Sequence, residues 1–274
     1  MSKSTGSQSP NETQALSQNS FIYGLYGLFV LYVGWLVFVI FTLTNSLLAD
    51  LLRWVLPKAQ ARQLGRWGIH TVFKTYVTFL RLTGIVKIDL SALDALKGVE
   101  KLILAPNHPS LLDAVFVMSR LPNVVCIMKA SLWDNLALCG GARLAGYVRN
   151  DSLETMVRLG VKSLEEGGQL LVFPESTRTV SLPVNEFKGV TALLAKRSGA
   201  SVQAVYLESN TEFLGKNWPV LKKPNFPLIY RARLGKRYEP PEDLRRFIDE
   251  LQLDFSEALG PCGHRFDKRE QHKT

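Results

Sequence analysis

Lys101-Leu-Ile-Leu-Ala-Pro-Asn-His-Pro-Ser-Leu-Leu-Asp-Ala-Val-Phe-Val-Met118 reads as a strand that turns into a helix. Residues 101–105 form a short apolar run, which predicts a buried strand. Residues 110–119 predict a helix, with Pro109 at its start, where a missing N–H is no loss. His108 falls at the hinge, and Asp113 about one turn into the helix. Across such a turn the carboxylate can come back to an imidazole nitrogen. The pair has a plain chemical use: the carboxylate fixes the tautomer, and the other nitrogen takes a proton from a substrate hydroxyl. Spacing alone fits equally well a histidine cap and a solvated first-turn acid. The other histidines are His70, in a basic amphipathic stretch, and His264 and His272, in a charged tail. Elimination therefore favours His108 if the chain is an acid–base enzyme.

The same rhythm continues on both sides of this stretch. β-rich runs at 85–90, 102–105, 124–128, 147–148, 169–173, 202–207 and 228–234 alternate with helical candidates at 110–119, 132–144, 153–166, 191–198 and 241–258. This alternation predicts an α/β layered domain over residues 84–260 with a largely parallel central sheet. Sites in such sheets gather where strands end. Besides His108, two strand ends carry candidate chemistry. Gly146-Tyr-Val-Arg149 puts a cation after a short run, able to meet a phosphate or to bridge to Asp151. Phe173-Pro-Glu-Ser-Thr-Arg178 sets Glu175 three residues from Arg178, which is flanked by Thr177 and Thr179. That spacing suits a salt bridge, and it also suits a phosphate cradle. Lys129 follows the run at 124–128, so Lys129, Arg149 and Arg178 are expected to line one anionic pocket.

Before the domain, residues 1–20 are polar and predict disorder. Residues 21–43 carry no charge, and as a helix span roughly 34 Å, enough for a bilayer core of about 30 Å. A second apolar stretch follows at 47–56. Between Leu51 and Ile88 there are seven cations and no acid, with Lys58, Arg62 and Arg66 spaced on one helical face. Residues 21–83 therefore predict an apolar helix and basic amphipathic helices resting on anionic lipid. The cation excess places the domain on the cytoplasmic face, which in a bacterium means the inner membrane. The net charge of +9 agrees with an anionic partner. No pattern for nucleic-acid binding is present. Cys126, Cys139 and Cys262 fit neither a zinc site nor a disulfide framework, and a reducing compartment is expected. A charged tail closes the chain at 261–274.

Asn107-His-Pro-Ser-Leu-Leu-Asp113 resembles the NHxxxxD motif of the glycerolipid acyltransferases, whose familiar members act on 1-acyl-glycerol-3-phosphate. Gly146-Tyr-Val-Arg149 is similar to their second block, and Phe173-Pro-Glu-Ser-Thr-Arg178 to their FPEGTR block. The resemblance runs in order from about residue 76 to 207, and the preceding helices resemble the family's membrane-dipping pair. It implies direct acyl transfer from acyl-CoA or acyl carrier protein to the free hydroxyl of a lysolipid. His108 is then the general base and Asp113 its orienting partner. Lys129, Arg149, Glu175, Thr177 and Arg178 bind the acceptor's phosphate and glycerol. It implies no metal and no cofactor beyond the acyl donor.

The chain departs from the family pattern at Ser176, where glycine is usual, at the early glycine of Phe187-Lys-Gly189, and at Ser201 and Ala204, where prolines are usual. The stretch 208–238 is also unlike a housekeeping enzyme. Three further readings stay open: a specialised acceptor such as an ornithine-lipid precursor or a polyene lipid, a non-catalytic lipid-binding scaffold, and a lipid thioesterase.

Overall fold

The structure, a computed structural model, describes residues 10–135 and 139–261, with side chains from residue 21 onward. Its core is one seven-stranded sheet in the order β1-β7-β6-β2-β5-β3-β4. The strands are β1 (Val86–Asp89), β2 (Leu102–Pro106), β3 (Val124–Lys129), β4 (Val148–Asn150), β5 (Gln169–Leu171), β6 (Ser201–Ser209) and β7 (Leu228–Tyr238). Every neighbouring pair is parallel except β6 with β7. The expected α/β architecture with a largely parallel sheet is what forms. Strand β2 is buried at all five residues, as a central parallel strand covered on both faces should be. Because β2, β5, β3 and β4 run the same way, residues 107, 130, 151 and 172 onward leave from one edge of the sheet.

The helices are α1 (Pro10–Val55), α2 (Lys58–Leu82), α3 (Asp113–Arg120), α4 (Ala130–Trp133), α5 (Gly140–Ala145), α6 (Leu153–Glu165), α7 (Val190–Ser198) and α8 (Leu244–Leu259). Helix α8 starts later than its apolar pattern suggests because the Asp243 carboxylate caps the N–H groups of Arg245 and Arg246 at 2.9 and 3.1 Å. The single helix expected at 132–144 is instead the short α4 and α5, with 136–138 outside the described residues.

Two expectations about the N-terminal region change. The apolar stretches at 21–43 and 47–56 are one helix, α1, which already begins at Pro10 inside the segment expected to be disordered. Its 46 residues span roughly 69 Å. The polar residues between the stretches do not break it. Thr42 turns its hydroxyl back to the carbonyl of Phe38 at 2.8 Å and stays satisfied within the helix. Phe21–Val55 is long and apolar enough to cross a membrane.

The second change concerns the basic face of α2, where Arg62 and Arg66 dock on the α/β domain while Lys58 stays exposed. Arg66 is buried and donates to the carbonyl of Ala145 at 3.2 Å and to Asn123 Oδ1 at 2.8 Å. Arg62 pairs with Glu166 at 3.0 Å. That face also carries Gly65, which lets the backbone of α5 come close. A Cβ at Gly65 would lie 2.5 Å from Ala145 N and 2.7 Å from Leu144 C. Gly65→Ala is expected to lower the thermal midpoint sharply despite alanine's better helix propensity, because overpacking against backbone costs about 1–3 kcal/mol or more. Thermal unfolding in detergent checks this, with Gly189→Ala as control, since nothing lies within 4 Å of its Cβ position.

Candidate active site

His108 and Asp113 meet beyond the end of β2. His108 Nδ1 lies 2.8 Å from Asp113 Oδ2. The route differs from the simple strand-to-helix hinge. Residues 107–112 are an irregular turn, and Asp113 is the first residue of α3, so Pro109 does not open the helix. The same carboxylate oxygen accepts the Ser110 N–H at 2.7 Å, which curls the turn back and brings the acid to the ring. Asp113 is 1% exposed. Burial pushes its carboxyl up, and the bonds from His108 and Ser110 oppose that. A carboxylate accepting at Nδ1 places the proton there and leaves Nε2 with its lone pair. The ring stacks on Phe173 with centroids 3.9 Å apart and planes 21° apart. One side of the ring stays open, its side chain 17% exposed. The remaining described histidine, His70, is tied to the Met118 carbonyl at 2.9 Å.

The turn after β5 braces this one. Glu175 Oε1 accepts the backbone N–H of His108 and the hydroxyl of Thr179, both at 2.8 Å, and Oε2 accepts the Asn185 N–H at 2.8 Å. The Thr179 N–H closes the pair of turns on the His108 carbonyl at 2.7 Å. Glu175 is 2% exposed, and burial pushes its carboxyl up against these donors. Its oxygens are thus occupied by the protein, and so is Thr179, which removes one of the two hydroxyls of the expected phosphate cradle. Thr177 is exposed.

Ser176 sits at φ 56°, the left-handed region where glycine is favoured. The departure from glycine at this position therefore falls where backbone freedom matters. Ser176→Gly is expected to raise stability by about 1 kcal/mol, read as an upward shift of the thermal midpoint.

Arg178 does not pair with Glu175. Its Nη1 donates to the carbonyls of Leu214 and Gly215, both at 2.9 Å, clasping the segment after β6 over the site. Leu214 holds φ 59° while its carbonyl also accepts from Leu111 N at 3.0 Å. Strain of this kind persists only where neighbours over-determine it. Lys129 ends β3 and is exposed. Arg149 stands beside it, with Lys129 paired to Asn150 in the register. Arg149 is flanked by Asp134 at 3.0 Å and Asp151 at 2.8 Å, so the bridge to Asp151 forms. The three cations share one sheet edge, but β5 separates β2 from β3. At about 4.8 Å per strand, Lys129 lies roughly 10 Å across the sheet from the histidine's strand.

Several contributors lie outside the candidate site residues read from the sequence. Asn107 is fully buried and ties β2 to β6, accepting from Leu207 N at 2.7 Å and donating to Leu207 O at 2.9 Å. Asn185 lies in a stretch with no period, yet its side chain accepts from Val180 N and Ser181 N, each at 3.0 Å. Tyr230 comes from β7 and is 4% exposed, with its hydroxyl buried beside Ser110 and Asp113. It lines a small apolar cavity of about 30 Å³ with Leu31 and Trp35 of α1, Tyr76 of α2, and Leu112 and Leu214 beside the dyad.

Residues 87–208 match the family model described as Acyltransferase, a span that holds all three motif blocks. The likeness read from the three blocks is thus found again over this span, as a match to an acyltransferase domain. Among solved structures, it resembles the crystal structure of the 1-acyl-sn-glycerophosphate acyltransferase PlsC from Thermotoga maritima. The TM-score is 0.60 at 20% identity, over 84% of this chain and 93% of that one. That likeness shows a shared fold, over more of the chain than the matched span.

Proposed function

We propose that the chain is a membrane-seated O-acyltransferase that moves a fatty acyl group from acyl-CoA or acyl carrier protein to the free hydroxyl of 1-acyl-glycerol-3-phosphate or a related lysolipid. One observation carries this reading: the 2.8 Å contact that fixes the His108 tautomer and leaves Nε2 as the basic nitrogen on a half-open ring. Nε2 takes the proton of the acceptor hydroxyl as its oxygen attacks the thioester carbonyl. The new C–O ester bond forms, the C–S bond breaks, and the proton passes to the departing thiolate. General-base help of this kind is worth roughly 10²–10⁴-fold, with positioning supplying much of the rest. Lys129, Arg149, Thr177 and Arg178 serve the acceptor's phosphate and glycerol, while Glu175 holds the two turns in register.

The membrane seat follows from α1. It touches the domain along most of its length: Tyr26 donates to Thr83 O at 2.7 Å, Trp35 to Val220 O at 3.2 Å, and Ser46 accepts from Gly140 N at 2.8 Å. Its opposite face exposes Phe21, Tyr32, Leu36, Leu47 and Trp54. A helix held against a globular domain in this way lies along the membrane surface with its free face in lipid, on the cytoplasmic side.

Full-length protein in lipid vesicles, supplied with labelled acyl-CoA or acyl carrier protein and a panel of lysolipids, is expected to form diacyl product. Loss of thioester without any acceptor would make it a thioesterase. Lysolipid binding with no turnover of either donor would make it a scaffold. Mass spectrometry of lipids from cells with and without the gene names the natural acceptor.

A further inference from the structure

The loop between β6 and β7 has a feature the acyl-transfer chemistry does not use. Trp218-Pro-Val-Leu-Lys-Lys223 forms a tight turn in which Lys222 N bonds to Pro219 O at 2.9 Å and Trp218 Nε1 to Lys222 O at 3.1 Å. Its tip presents Val220 and Leu221, 46% and 60% exposed. Lys216, Lys222 and Lys223 surround them, and the chain carries no acid between Gly215 and Pro227. Lys222 Nζ sits 4.8 Å over the Trp218 ring.

This turn is fastened to α1 at three points. Trp35 Nε1 holds the Val220 carbonyl at 3.2 Å, Lys223 Nζ holds the Gly24 carbonyl at 3.1 Å, and Phe226 packs on Gly27 where a Cβ would come within 2.6 Å of its ring. Tyr32 and Val39, three residues before and four after Trp35, are its neighbours on the helix surface and are 52% and 42% exposed. The exposed apolar strip of α1 therefore continues without interruption onto the loop tip.

We propose that residues 216–224 are a second membrane-seating element, which inserts Val220 and Leu221 at the acyl boundary of an anionic leaflet and sets Lys216 and Lys222 against lipid phosphates. An apolar tip ringed by cations and an amphipathic tryptophan is the chemistry that such an interface selects. The inference rests on the membrane-seated reading of the preceding section. It adds a link to the site, because the loop's root at Gly215 is the carbonyl that Arg178 clasps. Lipid contact at the tip thus steadies the cover over the dyad.

Single cysteines at Leu221, Tyr32 and Arg246, each in a Cys262→Ser background, carry an environment-sensitive fluorophore in the full-length protein. Cys126 and Cys139 are buried. The vesicles are phosphatidylcholine with a minority of phosphatidylglycerol, and brominated lipids serve as quencher. Quenching at 221 and 32 but not at 246 is expected, with 221 responding much more weakly in pure phosphatidylcholine. Quenching at 32 without 221 overturns the loop assignment and leaves the membrane reading standing. No quenching at either site, with protein that fails to float with vesicles, overturns both. Equal quenching at 221 in the two lipid mixtures overturns the role of the lysines. The pair Val220→Ser with Leu221→Ser is expected to weaken vesicle partition roughly tenfold while leaving turnover of detergent-dispersed substrate unchanged.

Discussion

His108→Ala is expected to abolish acyl transfer, by roughly 10²–10⁴-fold or more, while the protein still folds and floats with vesicles. The side chain is one face of a stack with Phe173 and one end of a bond to Asp113. What holds the turn in place lies elsewhere. The His108 N–H to Glu175, the His108 carbonyl to Thr179 N, and Ser110 N to Asp113 all remain in the alanine variant. Activity and stability therefore separate at this residue. Labelled acyl transfer measured beside thermal unfolding checks it. A variant that keeps wild-type turnover would end the general-base assignment, whatever the protein's lipid preference.

Glu175→Gln is expected to damage both quantities together. The carboxylate accepts from His108 N, Thr179 Oγ1 and Asn185 N. An amide keeps one oxygen and turns an N–H₂ group toward at least one of these donors, deep in the protein. Leaving a buried donor unmet costs about 1–3 kcal/mol. Because one of the three positions the backbone of His108, turnover falls as well, and a displacement of about 1 Å near reacting atoms can cost roughly 10²-fold. The expected signature is a lower kcat and a lower thermal midpoint, with little change in KM for the lysolipid. If Glu175 instead binds the acceptor's glycerol, as its motif implies, KM rises and the thermal midpoint stays put. The two roles are separable in one set of measurements.

The sequence made the fold and the dyad legible for different reasons. Residues 102–105 are apolar without alternation because β2 is covered on both faces, and that pattern survives in one dimension. His108 and Asp113 lie five residues apart, so their meeting needs only a local turn. What was misread depends on partners far along the chain. Arg66 looks like one member of a lipid-facing row until Ala145 and Asn123 are seen to receive it. Glu175 and Arg178 have the spacing of a salt bridge, yet one turns to Thr179 and Asn185 and the other to carbonyls of residues 214 and 215. Tyr230, more than a hundred residues from Asp113, has no local pattern to announce it. Side-chain period shows which face is apolar, but not which neighbour covers it.

The docking of α1 has a consequence for how the protein is made. The helix is translated well ahead of Gly140, Val220, Lys223 and Phe226, which receive it. At about 5–20 residues per second, the gap between Val55 and Phe226 lasts roughly 10–30 s. For that interval Val30, Leu31 and Ala49, all buried in the finished molecule, have α2 beside them but not the later segments that complete their cover. Until they are made, the uncovered face of α1 needs lipid or a chaperone as temporary cover.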